Sequence, residues 1–366
     1  MSPPTPAPPP MDLGDVPAFP VLSLEVGDWR DGLVVRMPNW LGDSVMALPA
    51  LLQMRRRLPE CCGLFVVCAP GLADLFAALP IVDQVLPLAA AHRAWRRIDL
   101  TRLNRTRAGV GLLCNNSLRD AIAFRFAGIP RLFGAAARGR SLLLTRAFRF
   151  PPRRDRELHG LHHAGRYLAM AHALGAAPWP GDFPVFALRL EPEIMPPEVL
   201  AALNLPRILA VAPGAAYGDA KRWPEESFLA VCRDWLADGG SVVLLGAGAE
   251  AGVAARIADQ LPPQQVANLA GRTTLAALLL ALRRSAACLA NDSGVMHLAA
   301  ALGIPGVAIF GSTDPSATGP LSPRWTVLHQ REDCSPCFRR TCPRGDAICL
   351  RKITPQDAIA ALRRQG

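Results

Sequence analysis

Short apolar runs recur along most of the chain, and longer amphipathic stretches separate them. The runs have the length of buried strands, whereas a stretch such as 44–57 has the apolar spacing of a helix. Strands that alternate with helices are typical of parallel sheets in α/β proteins. The runs that we predict to be strands are 33–37, 64–68 and 111–114 in the first half, and 208–212, 241–245, 287–290 and 307–310 in the second half.

This alternating pattern stops and starts afresh around residues 191–206, a stretch rich in proline and acidic residues. A chain of 366 residues is also longer than one hydrophobic core usually supports. We therefore predict an N-terminal domain over 31–190, a linker over 191–206 and a C-terminal domain over 207–366. Two parallel sheets that face each other would form a ligand cleft at the carboxyl ends of their strands.

Residues 1–30 lack this periodicity and include the proline-rich stretch 3–10, so we predict a disordered tail. Whether translation begins at Met1 or at Met11 stays open. Neither a signal peptide nor an apolar stretch of bilayer length is evident, and the expected location is cytoplasmic. Ten cysteines in such a chain then indicate mostly reduced thiols.

The charge of the chain points to an acidic partner. The formal net charge is +10, and many arginines fall in the first half, for instance within 55–57, 93–107 and 153–156. A basic surface of this kind suits an anionic lipid or glycan, and a merely solvated surface is the alternative. No nucleic-acid-binding motif accompanies the arginines, so nucleic acid is not a predicted partner.

The first candidate site follows the first predicted strand, where Asn39, Trp40, Gly42 and Asp43 lie in a turn that leads into a helix. At a helix N-terminus the helix dipole and free N–H groups favour the charged carboxylate of Asp43. A base needs that form in order to accept a proton from a sugar hydroxyl. An ordinary carboxylate that only stabilises the helix is the alternative, and the spacing alone favours it.

A second candidate follows the strand 208–212, where Gly214 and Ala215 precede the basic pair Lys221 and Arg222. Small residues let the backbone approach a ligand closely, and the two cations suit a diphosphate. A solvated basic loop is the alternative.

A third candidate, 246–251, has the pattern G-x-G-x-x-A of a dinucleotide-binding turn. That pattern requires an acidic residue about twenty positions later, and the stretch 266–270 contains none. Glu250, within the turn itself, is a candidate for the ribose contact instead. The alternative is that Glu250 merely begins a helix.

The fourth candidate follows the strand 287–290 and leads into an alanine-rich helix. Its members are Asp292, Ser293, Gly294 and His297, with Thr313 in the loop after the next strand. Backbone N–H groups at the start of the helix suit a phosphate, and the aspartate can accept hydrogen bonds from sugar hydroxyls. A simple helix cap is the alternative, and we assign the histidine and the threonine only to the lining of the site.

Four cysteines form a separate cluster within 334–349: Cys334, Cys337, Cys342 and Cys349. Four thiols can hold zinc tetrahedrally, although the second pair is spaced more widely than in a zinc ribbon. A structural zinc site, an iron–sulfur site, a disulfide and free thiols all stay open. None of these readings implies redox catalysis.

Taken together, these stretches resemble glycosyltransferase family nine, the ADP-heptose:lipopolysaccharide heptosyltransferases. The resemblance rests on the 39–43 turn, on 213–215 with 221–224, and on the run from 268 to 315. The segments 115–120 and 334–349 resemble the heptosyltransferase II subgroup. The likeness covers most of the chain from about residue 33 onward.

The resemblance implies an α/β protein of GT-B fold, with two Rossmann-like parallel-sheet domains facing a central cleft. It implies that Asp43 is the general base of an inverting transfer, that Lys221 binds the diphosphate and that Asp292 contacts the sugar. Ser293 and Gly294 would lie beside them in the donor site. No catalytic cofactor would be required, since these cations and helix N–H groups can balance the charge that develops on the leaving diphosphate.

The implied donor is ADP-heptose, and the implied acceptor is the lipid A–Kdo or heptosyl inner core of lipopolysaccharide. The enzyme would then associate peripherally with the anionic inner membrane. Three alternatives stay open: a nucleotide-sugar epimerase of the same architecture, a family member acting on another glycan, and a module that binds nucleotide or lipid without catalysis.

Overall fold

Two parallel sheets form the framework of the computed structural model. The structure describes residues 13–14, 16–89, 95–151, 161–189 and 195–365. Within these residues there are twelve strands: β1 Gly32–Arg36, β2 Gly63–Cys68, β3 Gln84–Pro87, β4 Val110–Leu113, β5 Arg131–Ala135, β6 Arg146–Phe148, β7 Ile208–Ala212, β8 Ser241–Leu244, β9 Val266–Asn268, β10 Ser285–Asn291, β11 Gly306–Phe310 and β12 Trp325–His329.

Both sheets have the same strand order. It is β3-β2-β1-β4-β5-β6 in the first sheet and β9-β8-β7-β10-β11-β12 in the second, and the paired strands run parallel. This is the order of a Rossmann-type sheet, in which ligands bind where the strand order reverses, here beside β1 and β7. The α/β class and all seven predicted strands are confirmed, the strands to within two residues of their bounds.

Helices connect the strands and cover both faces of each sheet. In the described residues they are α1 Val26–Trp29, α2 Leu41–Met46, α3 Leu48–Arg57, α4 Ala73–Ala77, α5 Arg97–Arg105, α6 Leu118–Phe126, α7 His163–Ala173, α8 Pro197–Leu203, α9 Glu225–Ala237, α10 Ala251–Ala258, α11 Leu275–Arg283, α12 Gly294–Ala301, α13 Pro315–Thr318, α14 Ile348–Arg351 and α15 Pro355–Arg363. None of them is long and apolar enough to cross a lipid bilayer.

Alternation along the central strands decides which core each side chain enters. Leu33 and Val35 of β1 face a core that α3 and α7 help to form, whereas Val34 faces a second core under α5 and α6. The first of these cores continues into the C-terminal domain, where α11 and α12 contribute to it. The outer face of the second sheet packs on α9, α10 and α15.

The single helix predicted over 44–57 is wrong, because the structure has two helices there, α2 and α3. They meet at Ala47, and Pro49 lies in the first turn of α3. Proline has no N–H to continue a helical ladder but is well accommodated in a first turn. The break leaves α2 as a short helix whose first turn carries Asp43, as predicted.

The disordered tail predicted over 1–30 is wrong for residues 16–30, while 3–10 lie outside the described residues. Trp29 of α1 is fully buried, and Leu24 is buried with it. Phe19 packs on Phe148 of β6, with 4.9 Å between the ring centroids. These apolar side chains pack the segment against the N-terminal domain. They do not recur at a regular spacing in the sequence, so the hydrophobic pattern did not predict their burial.

Part of the stretch predicted as a linker is helical. Val199 and Ala202 of α8 are buried, and the helix packs on α11 and β9 of the second half. The first sheet precedes this stretch and the second follows it.

Candidate active site

An open cavity of about 620 Å³ lies between the two domains, at the carboxyl ends of the central strands. We call it the interdomain cavity. Most of the predicted site residues line it: Trp40, Gly42, Asp43, Gly214, Lys221, Glu250, Asp292, Ser293, Gly294, His297 and Thr313. The loop after β1 of the first sheet and the loops after β7, β8, β10 and β11 of the second therefore converge on one site, because the carboxyl ends of strands from both sheets face the cavity.

Two glycines let the domains approach each other at this cavity. A Cβ on Gly42 of α2 would lie 2.9 Å from His297 Cδ2 on α12. A Cβ on Gly294 would lie 2.9 Å from Leu41 Cβ. Both distances are shorter than side chains tolerate, so the absence of a side chain allows the first turns of α2 and α12 to pack together.

A buried ion pair forms one wall of the cavity. Lys221 Nζ lies 2.6 Å from Asp292 Oδ2, and the hydroxyl of Thr313 donates to the same carboxylate oxygen at 2.6 Å. The lysine side chain is 14% exposed and the aspartate 6%, so the ammonium group is largely desolvated. A desolvated and fixed cation attracts an anionic ligand more strongly than a mobile surface lysine does.

Asn291 connects the two loops that carry this pair. Its amide nitrogen donates to the carbonyl of Pro213 at 2.8 Å, and its amide oxygen accepts from the backbone N–H of Trp223 at 3.1 Å. The residue is fully buried at the end of β10. Asn291 was given no role from the sequence, although a polar residue that ends a buried strand was an available signal.

Glu250 lies against the glycine loop after β7. Its Oε2 accepts from the backbone N–H of Ala247 at 2.7 Å, so the side chain holds its own turn. A Cβ on Gly214 would overlap the Glu250 carboxyl group, which explains why glycine suits this position. The predicted ribose contact of Glu250 stays a prediction.

Asp43 lies where the interdomain cavity meets a second one. Its side chain is about one third exposed, and Oδ1 lies 3.5 Å from Nδ1 of His163, in the first turn of α7. His163 was not predicted from the sequence, because 120 positions of chain separate it from Asp43. The carboxylate therefore faces open space and has one ring nitrogen nearby to orient it.

The second cavity, of about 1060 Å³, lies within the N-terminal half, and we call it the N-terminal cavity. It shares Trp40, Asp43 and His163 with the interdomain cavity. Its other lining residues are polar or basic in large part, including Asn39, Asn115, Asn116, Ser117, Arg119, Arg138 and Arg166. A polar cavity with several arginines suits a sugar that carries anionic groups.

A buried network supports the floor of the N-terminal cavity. Arg36 Nε donates to Asp120 Oδ2 at 2.8 Å, and its Nη2 donates to Asn39 Oδ1 at 2.7 Å. Trp95 Nε1 donates to the other carboxylate oxygen of Asp120 at 2.9 Å. These bonds hold Asn39 at the end of β1, so the predicted Asn39 lines the N-terminal cavity rather than the interdomain one.

Two predicted donor-site residues lie elsewhere. Arg222 does not line the interdomain cavity and pairs with Asp219, with 2.7 Å between Nη1 and Oδ1. Ala215 is buried, and its neighbour Ala216 lines the cavity instead. Successive residues of a turn point in different directions, so adjacency to Lys221 did not place Arg222 in the site.

Two buried histidines lie at the boundary between the domains. Burial, with a smaller effect of nearby positive groups, lowers the pKa of His297 to about 3. Burial likewise lowers the pKa of His162 to about 4. His162, the N-cap of α7, contacts the carbonyl of Gly319 through Nε2 at 3.1 Å. Both rings are neutral at physiological pH, so His297 lines the site as an uncharged group.

The four clustered cysteines surround one small cavity beside the loop that carries Lys221. None of the four forms a disulfide in the structure, and burial raises the pKa of Cys349 to about 11. In the part of the chain that the structure describes, no group of three or more histidine, cysteine or acidic side chains is arranged to hold a metal ion. The segment still contacts the donor-side loop, since the N–H of Ala220 donates to the carbonyl of Arg340 at 3.0 Å.

The chain is similar in sequence and in fold to known heptosyltransferases. The family model for glycosyltransferase family 9 (heptosyltransferase) matches residues 97–348. The chain is 29% identical to lipooligosaccharide heptosyltransferase 2 of Haemophilus influenzae, covering 80% of this chain and 86% of that protein. It is 28% identical to lipopolysaccharide heptosyltransferase 2 of Escherichia coli, covering 90% and 97%. The solved structure of E. coli ADP-heptose lps heptosyltransferase II superposes with a TM-score of 0.74 at 26% identity, covering 91% and 98%.

Proposed function

The chain belongs to glycosyltransferase family 9, and on that basis we propose that it transfers heptose from ADP-L-glycero-D-manno-heptose to the lipopolysaccharide inner core, as a heptosyltransferase II-like enzyme. It is a glycosyltransferase of GT-B fold. The names of the relatives support heptose as the sugar and lipopolysaccharide as the acceptor, and the name of the solved structure supports ADP-heptose as the donor. These matches cover 80% to 91% of the chain. The observation that carries the proposal is the position of Asp43, the carboxylate that both cavities share.

In this proposal Asp43 is the general base. The acceptor hydroxyl enters from the N-terminal cavity and the anomeric carbon of the donor from the interdomain cavity. Asp43 takes the hydroxyl proton while the acceptor oxygen bonds to the anomeric carbon. The bond from that carbon to the diphosphate oxygen breaks on the opposite side, and its electron pair leaves with ADP, which inverts the configuration. His163, 3.5 Å away, orients the carboxylate.

The interdomain cavity holds the donor. Lys221 lies beside the diphosphate and balances the charge that grows on the leaving group, while Asp292 fixes the lysine and contacts the sugar. The backbone N–H groups of Ser293 and Gly294 lie at the N-terminus of α12. In this proposal they bind the phosphates, and the positive end of the helix dipole faces them. Ser293 Oγ is enclosed and has no hydrogen-bond partner among the described residues, so it is available to a ligand.

The N-terminal cavity holds the acceptor, lipid A–Kdo or its heptosylated form. Arg119 and Arg138 on its wall suit the carboxylates and phosphates of such a glycan. Nucleic acid is not part of this proposal. An acceptor of this kind is anchored in the inner membrane, so we place the enzyme in the cytoplasm with peripheral contact to the inner face of that membrane.

The proposed transfer has no step that passes through a metal, because Lys221 and the start of α12 supply the positive potential that the diphosphate needs. The thiols of Cys334, Cys337, Cys342 and Cys349 are not arranged to hold an ion in the described residues. A structural zinc or iron–sulfur group there stays a prediction from their spacing. Metal analysis of the purified protein, with and without substitution of these cysteines, tests it.

Incubation of the purified protein with ADP-heptose and lipid A–Kdo acceptors tests the function. The acceptors carry no heptose or one heptose, and ADP release and product mass are measured. We expect turnover only with acceptor, and a mass gain of one heptose on the acceptor that already carries one. Donor turnover without acceptor would indicate an epimerase or a hydrolase, and donor binding without turnover would indicate a binding module.

A further inference from the structure

A ridge of apolar side chains projects from the N-terminal half into solvent. Leu118, Ile122 and Phe126 recur every fourth residue of α6 and are all exposed, Phe126 by 81%. Leu142, in the neighbouring 3₁₀ turn 140–143, is 96% exposed. Arg125 fixes that turn to α6 by donating to the carbonyl of Leu143 at 2.7 Å. We call these four apolar residues the α6 ridge.

The α6 ridge is not explained by the packing of the domain. The opposite face of α6 carries Ala121 and Phe124, which are buried in the sheet core. A surface helix normally presents polar residues on its outer face, whereas α6 is apolar on both. A contiguous exposed apolar patch of this kind marks an interaction site.

The charge around the α6 ridge is positive. Residues 95–151 contain twelve arginines, no lysine and two acidic residues, Asp99 and Asp120. Both carboxylates are buried and hydrogen-bonded within the domain, so they add no negative charge to the surface. Exposed arginines on α5 and nearby loops, such as Arg97, Arg102 and Arg138, therefore face solvent around the ridge without exposed acidic neighbours from this stretch.

The α6 ridge is also continuous with the N-terminal cavity. Leu118 and Ile122 line the cavity as well as the ridge, and Arg119 and Arg138 lie at the same wall. An occupant of the ridge thus lies directly beside the bound acceptor. A second copy of the chain is disfavoured there, because a symmetric contact would bring two arginine-rich faces together.

We propose that the α6 ridge and its surrounding arginines dock the protein onto an anionic lipid bilayer, with the N-terminal cavity opening at the headgroup layer. Apolar side chains enter the boundary between headgroups and acyl chains, and arginines bind the anionic headgroups. The inference rests on the proposed function only in that the acceptor is lipid-anchored. The orientation lets the glycan enter the cavity while its lipid stays in the membrane.

Vesicle binding of the full chain tests the proposal without any substrate. The protein is sedimented with vesicles of phosphatidylcholine alone or of an equal mixture with phosphatidylglycerol. We expect binding to the anionic vesicles that weakens with salt. The double variant F126S/L142S, which leaves the cavity lining intact, should bind about ten-fold more weakly or worse. The variant V185S is the control, since Val185 is 76% exposed, is not one of the ridge residues and lines neither cavity.

Two activity measurements separate docking from catalysis. With a deacylated, water-soluble acceptor, F126S/L142S should retain the wild-type rate, which also shows that it folds. With the acceptor embedded in anionic vesicles, the KM of F126S/L142S for the acceptor should be higher than that of the wild type. Vesicle binding unaffected by F126S/L142S, or weakened equally by V185S, would overturn the proposal. A wild-type dimer that the double variant makes monomeric, with vesicle binding unchanged, would assign the ridge to a second copy instead.

Discussion

The two cavities that meet at Asp43 are built in opposite ways, although the domains around them share one strand order. The interdomain cavity is the smaller of the two, and it relies on glycines, backbone groups and one buried ion pair, Lys221 with Asp292. The N-terminal cavity is larger, and long arginine side chains line its open wall. Fixed backbone groups and a buried ion pair suit a compact anion such as a diphosphate, whereas exposed arginines suit the anionic groups of a larger glycan.

The largest effect is expected for Asp43→Asn, since the Asp43 carboxylate lines both the interdomain cavity and the N-terminal cavity. We expect kcat to fall about 10³-fold, because the amide cannot accept the proton of the hydroxyl. Calorimetric affinity for ADP should stay within about two-fold of wild type, which shows an intact interdomain cavity. A near wild-type rate on a folded variant would mean that another group is the base.

The next largest effect is expected at the buried ion pair. Lys221→Met should lower kcat/KM about 10²-fold, because the leaving diphosphate loses its cation and Asp292 is left with an uncompensated buried charge. Affinity for ADP, measured by calorimetry, should fall in parallel.

Arg222→Met is the matched control for that substitution, since Arg222 is the adjacent cation but pairs with Asp219 outside the cavity. We expect it to change kcat/KM by less than about three-fold. Equal losses in the two variants would indicate a general basic loop rather than a specific diphosphate contact.

A smaller effect is expected on the acceptor side, at Arg138→Ala. The acceptor KM should rise about ten-fold, and ADP affinity should not change, because Arg138 lines only the N-terminal cavity. Arg149→Ala is the control, since Arg149 is exposed and lines neither cavity. A loss of ADP affinity in the Arg138 variant would contradict the division of the site into two halves.

How far the sequence could predict this structure depended on burial. The seven strands found by their apolar runs include the four central ones, β1, β4, β7 and β10, in which every residue except Ala286 is buried. The missed strands include all four sheet edges, β3, β6, β9 and β12, which are half-exposed and mix polar with apolar residues. β5 was also missed, because it begins with Arg131 and contains Gly134.

Some residues of the candidate site could likewise be predicted from the sequence, whereas the contacts between them could not. Lys221 and Asp292 were named from the sequence because each follows a recognisable central strand. Their pairing depends on the register of β7 with β10, where Ala212 lies opposite Ala290, and no local pattern specifies that register. The proximity of His163 to Asp43 depends on how α7 packs beside α2, and is likewise invisible in either segment alone.

The smallest predicted effect concerns the boundary between the two halves, where His297 and His162 are buried. Their folded pKa values, about 3 and about 4, lie below the ordinary value of 6.5. Between these values and 6.5 the unfolded chain binds protons that the folded chain cannot, so stability is complete above pH 6.5 and falls as the pH drops. Each histidine contributes a slope of about 1.4 kcal/mol per pH unit to the free energy of unfolding in that window.

Urea unfolding between pH 7 and about 4.5 measures this slope. The variant His162→Asn keeps a helix-capping side chain, and it should remove the part of the slope that one histidine contributes. A slope unchanged in this variant would show that burial of His162 does not weaken its proton binding in the folded chain.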